Sequence, residues 1–387
     1  MNSYDLIIIG GGINGMTTAC ALSEAGFKTA LVEKSNISQR LKNTRDGRGL
    51  SIARHSKDIL EKYNIWDFIS KGAGEMHKII VQDANSDSIL EFDNKLVGGE
   101  PLGFLIESDN VLSGLYSKLL KSKVDIFDDS GCKSLESGAN ESKVHLLNGE
   151  VIKSKLVIVT DGKDSGIRAM LGMSCNKKEY DQTALVFNIK HSHPHNNCAY
   201  ELFMKNGPFA LLPMQDPYQS SIVWCEKKGI EKIDLSDKEF AEYLMIRCAP
   251  VYDEVKIITG VTKFPLSLSY MDEYYKDRAV FIGDSLHFMH PVAGQGYNLS
   301  IRDIDRLVEL FLKYQCLGLD IGSQSLLKEF QAHRQRDNKS MMRFTDGINN
   351  LFSNDNSMVQ FCRRFGLQVV NEISPLKKFF MKKAMGY

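Results

Sequence analysis

The sequence predicts an α/β fold in which a Rossmann-like domain is interrupted by a mainly antiparallel β-sheet and followed by a helical segment. Three observations predict it. An apolar run at residues 4–9 leads through glycines into a helical pattern, as in the first unit of a parallel sheet. Between about residues 180 and 266 the pattern changes to short strands and turns, and helical patterns dominate from residue 298 onward. This order is typical of an α/β domain with an inserted sheet.

The first element is the apolar run ending at Ile9, which has the character of a buried parallel strand. Gly10-Gly11-Gly12-Ile13-Asn14-Gly15 follows and satisfies the G-x-G-x-x-G pattern, before a helix over 16–25 and a strand over 28–32. That strand ends at Glu33-Lys34, about 20 residues on, where a carboxylate can accept hydrogen bonds from a ribose. The unit therefore predicts a dinucleotide site. A carboxylate here disfavours a ribose 2′-phosphate, and FAD and NAD both stay possible.

The next segments predict supporting elements. Helices are expected at 55–63 and 110–120, with strands near 124–128, 143–147 and 151–160 and short strands within 76–104. Arg48, in the loop before the first of these helices, is either a pyrophosphate ligand or an exposed loop charge. The strand at 151–160 ends at Asp161-Gly162, with Arg168 soon after. The inserted sheet is predicted at 183–189, 199–204, 210–213, 220–225 and 259–265, with one helix at 237–247.

The most informative stretch runs from Gly283 to Asn298. It follows an apolar strand at 279–282, so Asp284 lies at a strand end, where it can bind sugar or ribityl hydroxyls. The turn from Pro291 to Gly296 presents backbone amides to a planar, electron-rich ligand, and a helix is predicted from near Asn298. His287 and His290 form an H-x-x-H pair, and three further histidines cluster at 191, 193 and 195. Without an accompanying carboxylate set, we predict no metal site at either place.

Composition excludes several classes of protein. The 48 basic and 48 acidic residues balance, so the chain is not predicted to bind nucleic acid. Eight scattered cysteines without a C-x-x-C pair indicate reduced thiols, and we expect a cytoplasmic protein without a signal peptide or membrane span. The segment 375–385 combines four lysines with apolar residues. It is either a solvated terminal helix or a basic amphipathic surface that rests on anionic lipid.

The three motifs together resemble the flavoprotein aromatic hydroxylases of the para-hydroxybenzoate hydroxylase type. Asp161–Arg168 fits that family's D-G-x-x-S-x-x-R, and Gly283–Asn298 fits G-D-x-x-H-x-x-x-P-x-x-G-x-G-x-N. Nearly the whole chain is similar to the ubiquinone-biosynthesis hydroxylases, on features that include Arg48, Glu107, Leu112, 207–213, 264–266, 294–296, Arg334, Asp337 and the ending from Pro375 to Gly386. It departs from them at Ser285-Leu286, where two alanines are usual, and at Ser300, where glycine is usual.

The resemblance implies an FAD-binding domain at 1–75, 105–178 and 267–340, a substrate-binding sheet domain at 76–104 and 179–266, and a basic helical tail at 341–387. It implies that the reaction is carried by the flavin, through a C4a-hydroperoxide, with no catalytic side chain. The turn containing Pro291, Gly294, Gln295 and Gly296 would face the flavin ring. The implied FAD-binding residues are Gly10, Gly12, Ile13, Asn14, Gly15, Glu33, Lys34, Arg48, Asp161, Gly162, Arg168, Gly283, Asp284, Pro291, Gly294, Gly296, Tyr297 and Asn298.

The same resemblance implies an NAD(P)H-dependent monooxygenase that adds one oxygen atom of O₂ to a polyprenylated phenol. NAD(P)H would bind only transiently, since the sequence holds one dinucleotide motif. Further partners would be an anionic membrane surface on the cytoplasmic side, other ubiquinone-biosynthesis proteins and a second copy of the chain. Alternatives are a hydroxylase for small phenols, a flavin oxidase or dehydrogenase, and a non-catalytic flavin-binding component of a complex. The ring carbon, NADH versus NADPH and the oligomeric state stay open.

Overall fold

The computed structural model describes residues 2–43, 47–83, 89–204, 206–227, 238–289, 294–352, 366 and 368–387. The described strands are β1 (Ser3–Ile9), β2 (Thr29–Val32), β3 (Gly49–Ala53), β4 (Gly74–Met76), β5 (Lys78–Asp83), β6 (Ile89–Asp93), β7 (Gly103–Glu107), β8 (Asp125–Phe127), β9 (Cys132–Ser137), β10 (Ser142–Leu146), β11 (Val151–Val159), β12 (Asn176–His191), β13 (Cys198–Met204), β14 (Gly207–Pro213), β15 (Gln219–Lys227), β16 (Val255–Ile257), β17 (Thr262–Tyr270), β18 (Tyr275–Lys276), β19 (Ala279–Phe281) and β20 (His287–Phe288). The described helices are α1 (Ile13–Glu24), α2 (Ile37–Asn43), α3 (Arg54–Lys62), α4 (Trp66–Ile69), α5 (Ser108–Leu120), α6 (Gly166–Met170), α7 (Lys238–Cys248), α8 (Gln295–Cys316), α9 (Gln324–Phe352) and α10 (Ser374–Ala384).

The first sheet has a parallel centre in the order β19-β11-β1-β2-β8, with β18, β10 and β9 added antiparallel. Its central strand β1 is fully buried from Leu6 to Ile8, as the continuous apolar run requires. Helices α1, α5 and α8 contribute to the same apolar core. Because the strands are parallel, β1, β2, β11 and β19 end at one edge of the sheet, and this edge carries all three sequence motifs.

The second sheet has nine strands, with the order β20-β17-β12-β15-β14-β13-β5-β6 and β16 beside β12. All of its strand pairs are antiparallel except β5–β13. One face packs on α7, where the Phe240 ring stacks on Trp224 at 5.5 Å between centroids. Strands from the segments 78–93 and 176–270 therefore share one sheet, and β20 joins its edge from a third stretch of chain.

A small third sheet, β3-β7-β4, completes the described strands, and helices α8, α9 and α10 complete the body. Helix α10 packs on the second sheet through Met381 and Met385, which join Leu90, Phe92 and Phe203 in one apolar cluster. Among the described helices, none is both long and apolar enough to cross a bilayer.

The predicted fold class is confirmed, and the differences are local. The helix expected near Asn298 begins at Gln295, because Gly294 is left-handed (φ +60°) and forms its N-cap. The first helix likewise begins at Ile13, directly after the Gly12 N-cap. Strand β9 was not predicted; its mixed polarity carries a weak alternation signal. At the borders of the segment 76–104, β4 and β7 pair in the third sheet with β3, and only β5 and β6 enter the large sheet.

Candidate active site

The three motifs meet at the carboxyl edge of the parallel sheet. Gly10 follows β1, Glu33 follows β2, Asp161 lies just beyond β11, and Asp284 lies just beyond β19. Neighbouring strand ends are joined by the backbone, with Gly10 N–H donating to the Val32 carbonyl at 2.8 Å and Thr160 N–H to the Ile9 carbonyl at 2.8 Å. This edge is where ligands bind in open α/β sheets, and the topology brings together residues 270 positions apart.

The N-terminus of α1 is accessible to a ligand because its glycines have no side chains that would cover the backbone amides. Gly15 packs so closely on the strand that a Cβ there would lie 1.7 Å from the Gly10 carbonyl oxygen. Gly12, the N-cap, has open space where its side chain would be. Uncovered amides at a helix N-terminus favour a phosphate, so Gly10 to Gly15 fit the pyrophosphate of a dinucleotide.

Glu33 is held as a buried acceptor beside that turn. Its Oε2 accepts a hydrogen bond from Gly11 N–H at 2.6 Å, and its Oε1 accepts one from the Ser35 hydroxyl at 2.7 Å. Burial alone would raise the pKa of the Glu33 carboxyl, but Ser35, the Gly11 amide and the charge of Arg40 hold that pKa below its usual value. Glu33 is therefore ionised at neutral pH, as a ribose-binding carboxylate must be. Lys34 is exposed next to it.

Asp284 occupies the opposite end of the edge, close to α1. Its Oδ1 lies 3.5 Å from Asn14 Nδ2. Burial raises the pKa of Asp284, and the charges of His287, Arg48 and Lys163 offset only part of this rise. Asn14 Oδ1 and Asp161 Oδ1 are both buried without a hydrogen-bond partner in the described structure. Buried acceptors without donors are costly, so this edge fits a ligand that supplies hydroxyl and amide donors, as FAD does.

Arg48 and Gly162 lie near the same edge of the sheet. The Arg48 side chain is exposed at the start of β3, with its guanidinium 5.2 Å from the centre of the Phe264 ring. Its positive charge lowers the pKa of Asp284, so the two side chains interact electrostatically. Gly162 has a left-handed backbone (φ +90°) and open space around it. Their roles toward FAD stay predictions.

Arg168 has a different position from that of a ligand-binding cation. It is buried, and its guanidinium donates to the Ser285 carbonyl at 2.9 Å and to the Lys163 carbonyl at 2.7 Å. Ser165 caps its short helix by accepting from Arg168 N–H at 3.0 Å. Arg168 thus ties the Asp161 segment to the turn that carries Gly283 and Asp284, and in this arrangement it positions both motifs.

The predicted ring-facing turn is described from Gly294 onward; Pro291 and His290 lie outside the described residues. A Cβ on Gly294 would lie 2.5 Å from the Ser51 Cβ, so only glycine fits against β3. Asn298 fixes the turn by accepting from Ala53 N–H at 2.8 Å and donating to the Ser51 and Gly294 carbonyls at 2.9 and 2.8 Å. Tyr297 shares a hydrogen bond of 2.8 Å with Thr17, which joins α8 to α1, and Gly296 has open space beside it.

A buried ionic network lies behind this turn, and sequence reasoning missed its centre, Asp303. The Asp303 carboxylate is 2.6 Å from His287 Nε2 and 2.6 Å from Arg334 Nε, and it accepts from Asn338 at 3.2 Å. His287 is therefore paired with the Asp303 carboxylate. The sequence feature that could have identified Asp303 is its position as an acidic residue on the apolar face of a helix, eight positions after Gln295.

The histidine cluster at 191–195 is also structural. His191 stacks on Tyr252 at 3.8 Å and bonds the Ser220 hydroxyl, while His195 contacts the Met214 carbonyl. No group of three metal-binding side chains occurs among the described residues.

A large apolar cavity of about 530 Å³ begins at the turn and runs along the second sheet. Ser51, Gly294 and Gln295 border one part of it, and Phe344, Leu351 and Phe380 border another. Among the described lining residues, Glu201 is the only carboxylate, and Lys, Arg and His are absent. Sequence reasoning missed Glu201, although the alternation Ala199, Glu201, Phe203 along a strand predicts one shared face.

Comparisons with known proteins agree with this geometry. A family model described as "FAD binding domain" matches residues 3–345. Ubiquinone hydroxylase UbiL of Rhodospirillum rubrum is 32% identical over 385 residues, covering 99% of this chain and 89% of its own. The human mitochondrial ubiquinone biosynthesis monooxygenase COQ6 is 29% identical, with coverage of 98% and 92%.

Among solved structures, p-nitrophenol 4-monooxygenase PnpA of Pseudomonas putida superposes with a TM-score of 0.81 at 15% identity, covering 100% of this chain and 99% of its own. At that identity the likeness concerns the fold alone. The family model and UbiL together confirm the resemblance seen in the motifs, with FAD as the cofactor. The chain therefore belongs to the FAD-binding-domain family of flavoprotein monooxygenases that includes the ubiquinone hydroxylases.

Proposed function

We propose that the protein uses NAD(P)H and O₂ to hydroxylate the aromatic ring of a polyprenylated phenol. One observation carries the proposal: the cavity that starts at the predicted flavin-facing turn is large and almost wholly apolar. Its volume lies within the usual range for small-ligand sites, about 300–1,000 Å³. The names of UbiL and COQ6 support the same substrate class.

The lining explains why a prenylated phenol fits better than a small one. Ile79, Val81, Leu90 and Phe92 of β5 and β6 face helices α9 and α10 across the cavity. Each buried methylene contributes about 0.8 kcal/mol, so one five-carbon isoprenoid unit gains about 4 kcal/mol before binding costs. A small phenol would leave most of this surface unused, which argues against the small-phenol alternative.

The protein's own residues bind and position, and they exclude water. When bound, FAD supplies the oxygen-transfer chemistry, with reducing equivalents from the nicotinamide. Gly10 to Gly15 and Glu33 would hold its adenosine end and Asp284 its ribityl chain. The Gly294–Asn298 segment would lie against the ring, and the apolar walls would keep water from the reacting atoms.

The test is turnover of the purified FAD-loaded enzyme with 2-farnesyl-6-methoxyphenol, ¹⁸O₂ and either NADH or NADPH. We expect one ¹⁸O atom in a new ring hydroxyl group for each nicotinamide oxidised, and mass spectrometry identifies the product. Stoichiometric peroxide without a hydroxylated ring would favour a flavin oxidase. Failure of the nicotinamide to reduce the flavin with any phenol present would favour a non-catalytic component.

We further propose that helix α10 rests on an anionic membrane surface beside the cavity entrance. Phe379 of this helix is 54% exposed, and Ile373, its N-cap residue, is 48% exposed. Lys378, Lys382 and Lys383 are also exposed on the helix. Phe344 and Leu351 of α9 line the cavity and are also exposed, so the cavity wall reaches the protein surface at this helix. A basic helix with exposed apolar residues is typical of peripheral binding, and here it would let a lipid substrate enter directly.

Truncating this helix would not test membrane binding cleanly. Met381 and Met385 are buried, and Met385 O accepts from His55 N–H at 3.0 Å, so deletion would also damage the cavity wall. The sharper variant is Lys378→Glu/Lys382→Glu/Lys383→Glu. We expect it to float less with phosphatidylglycerol-containing liposomes than a control of equal charge change at the exposed Lys121, Lys123 and Lys133. Equal flotation of both variants would contradict the proposal.

A further inference from the structure

Glu201 lies at the centre of the cavity-facing side of the second sheet. In the register of β5, β13 and β14, Val81 and Ala210 lie directly opposite it, and Val223 of β15 continues the row. All four residues line the cavity. The row is apolar except for Glu201, so a single carboxylate faces the space where the substrate would bind.

Within the part of the chain that the structure describes, the Glu201 carboxylate has no partner. No described residue donates a hydrogen bond to Glu201 or forms an ion pair with it, although its side chain is largely enclosed. Its side chain is of intermediate exposure and lines the open cavity, and the apolar surroundings disfavour the charged form of the carboxyl. Burial raises the pKa of Glu201 to about 7. The Glu201 carboxylate is therefore a strong acceptor that a donor group of a ligand can pair with.

Among the described residues, no other titratable group near this face donates a hydrogen bond to Glu201. Burial raises the pKa of the Cys225 thiol and of the Tyr200 phenol, so both stay neutral at physiological pH. Asp83 of β5 pairs in register with Phe203, one step along the same face; it is fully buried and has other interactions. Helices α9 and α10 present Phe344, Ile348, Phe380 and Ala384 to the cavity, which carry no charge.

We propose that Glu201 is a catalytic residue that accepts the hydrogen bond of the substrate's phenolic hydroxyl and takes up its proton; this rests on the proposed function. The phenolic O–H bond breaks, an O–H bond forms on the carboxylate, and the electron pair stays on the phenolic oxygen. Delocalised into the ring, that pair makes the ortho and para carbons better nucleophiles toward the transferred oxygen. The substituted ring carbon then loses its proton to water, and Glu201 returns its proton to the phenolic oxygen.

Two consequences follow for the wild-type enzyme. A site with an ionised acceptor should prefer a phenol to its methyl ether, because the ether has no proton to donate. We expect a preference of about 10- to 100-fold in Kd, the range for a hydrogen bond to a charged group. The carboxylate must be ionised to act as a base, so kcat/KM should rise with pH through about 7.

The experiment uses the FAD-loaded full chain with 2-farnesyl-6-methoxyphenol and its methyl ether as probes. Binding is followed by the change in flavin absorbance, and kcat/KM for the phenol is measured from pH 6 to 9. The variants are Glu201→Gln, which keeps the shape and loses the charge, and Glu201→Leu, which removes the acceptor. Glu91→Gln is the matched control, because Glu91 is a carboxylate of the same sheet on the opposite face.

Glu201→Leu should lose the preference for phenol over ether. Glu201→Gln should lower kcat/KM by about 100-fold or more, as expected for loss of a general base, and should abolish the rise near pH 7. Glu91→Gln should match the wild type. An unchanged pH profile in Glu201→Gln would overturn the proposal, and this isosteric variant carries the test if Glu201→Leu does not fold. Absence of any hydroxylation by the wild type would instead refute the proposed function.

Discussion

The substitution Asp303→Ala gives a direct test of the buried network behind the cofactor turn. Asp303 is completely buried and binds Arg334 and His287 at 2.6 Å each. Its removal leaves a buried guanidinium without its main counter-charge, which typically costs about 3–5 kcal/mol. With an unfolding entropy of about 2.1 cal/mol/K per residue, the 387 residues give about 0.8 kcal/mol/K. We therefore expect the melting temperature to fall by about 4–6 °C.

The network also predicts a dependence on pH. Burial alone would raise the pKa of Asp303, but the charges of Arg334 and His287 lower that pKa to about 2. Because the folded-state pKa lies below the ordinary carboxyl value, the stabilisation is complete above about pH 4 and is lost as the pH falls toward 2. This stabilisation amounts to about 2 kcal/mol. The difference in unfolding free energy between the wild type and Asp303→Ala should therefore narrow over that pH range.

Scanning calorimetry at pH 7 measures the effect, and the ratio of flavin to protein absorbance reports FAD retention. The control is Glu309→Ala on the same helix, where a half-exposed carboxylate pairs with Lys62 and Arg306. Surface pairs contribute about 0–1 kcal/mol, so this control should melt within about 1 °C of the wild type. If Asp303→Ala melted together with Glu309→Ala, the assignment of a stabilising buried network would be wrong.

Three further substitutions test the site. Asp284→Ala should weaken FAD binding by about 10-fold or more while the protein stays folded, as measured by flavin fluorescence and circular dichroism; an unchanged Kd would refute its contact with the cofactor. Gly15→Ala places a Cβ 1.7 Å from the Gly10 carbonyl oxygen and should yield protein without FAD, whereas Gly347→Ala, at an open helical position, should melt like the wild type or higher. Ala210→Leu fills the cavity beside Glu201 and should lower kcat/KM for a farnesylated phenol more than for an unprenylated one; equal losses would mean that the chain binds elsewhere.

The local elements of the cofactor site were predictable because their signals lie within a few neighbouring residues. The glycines from 10 to 15 between a strand and a helix, and Glu33 at the next strand end, predict a dinucleotide turn from spacing alone. The resemblance carried by all three motifs then predicted the family, which the comparisons confirmed. The roles of Asp161, Gly162 and Asp284 toward FAD are still predictions, although the structure brings these residues to one edge.

Other residues could not be assigned from the sequence because their function depends on what lies across from them. Arg168 appears in a motif, but only the fold shows its guanidinium between two backbone carbonyls. Asp303 and Arg334 are 31 positions apart and become a pair only when α8 packs on α9.

The sequence by itself determined the parallel sheet, the cofactor turn and the family, since strand periodicity, glycine spacing and motif order are properties of short segments. The tertiary structure alone decided the cavity and the place of Glu201 in its lining. Sheet register is the physical reason. Which face a strand residue occupies follows from alternation, but the strands and helices that enclose that face are chosen by long-range packing.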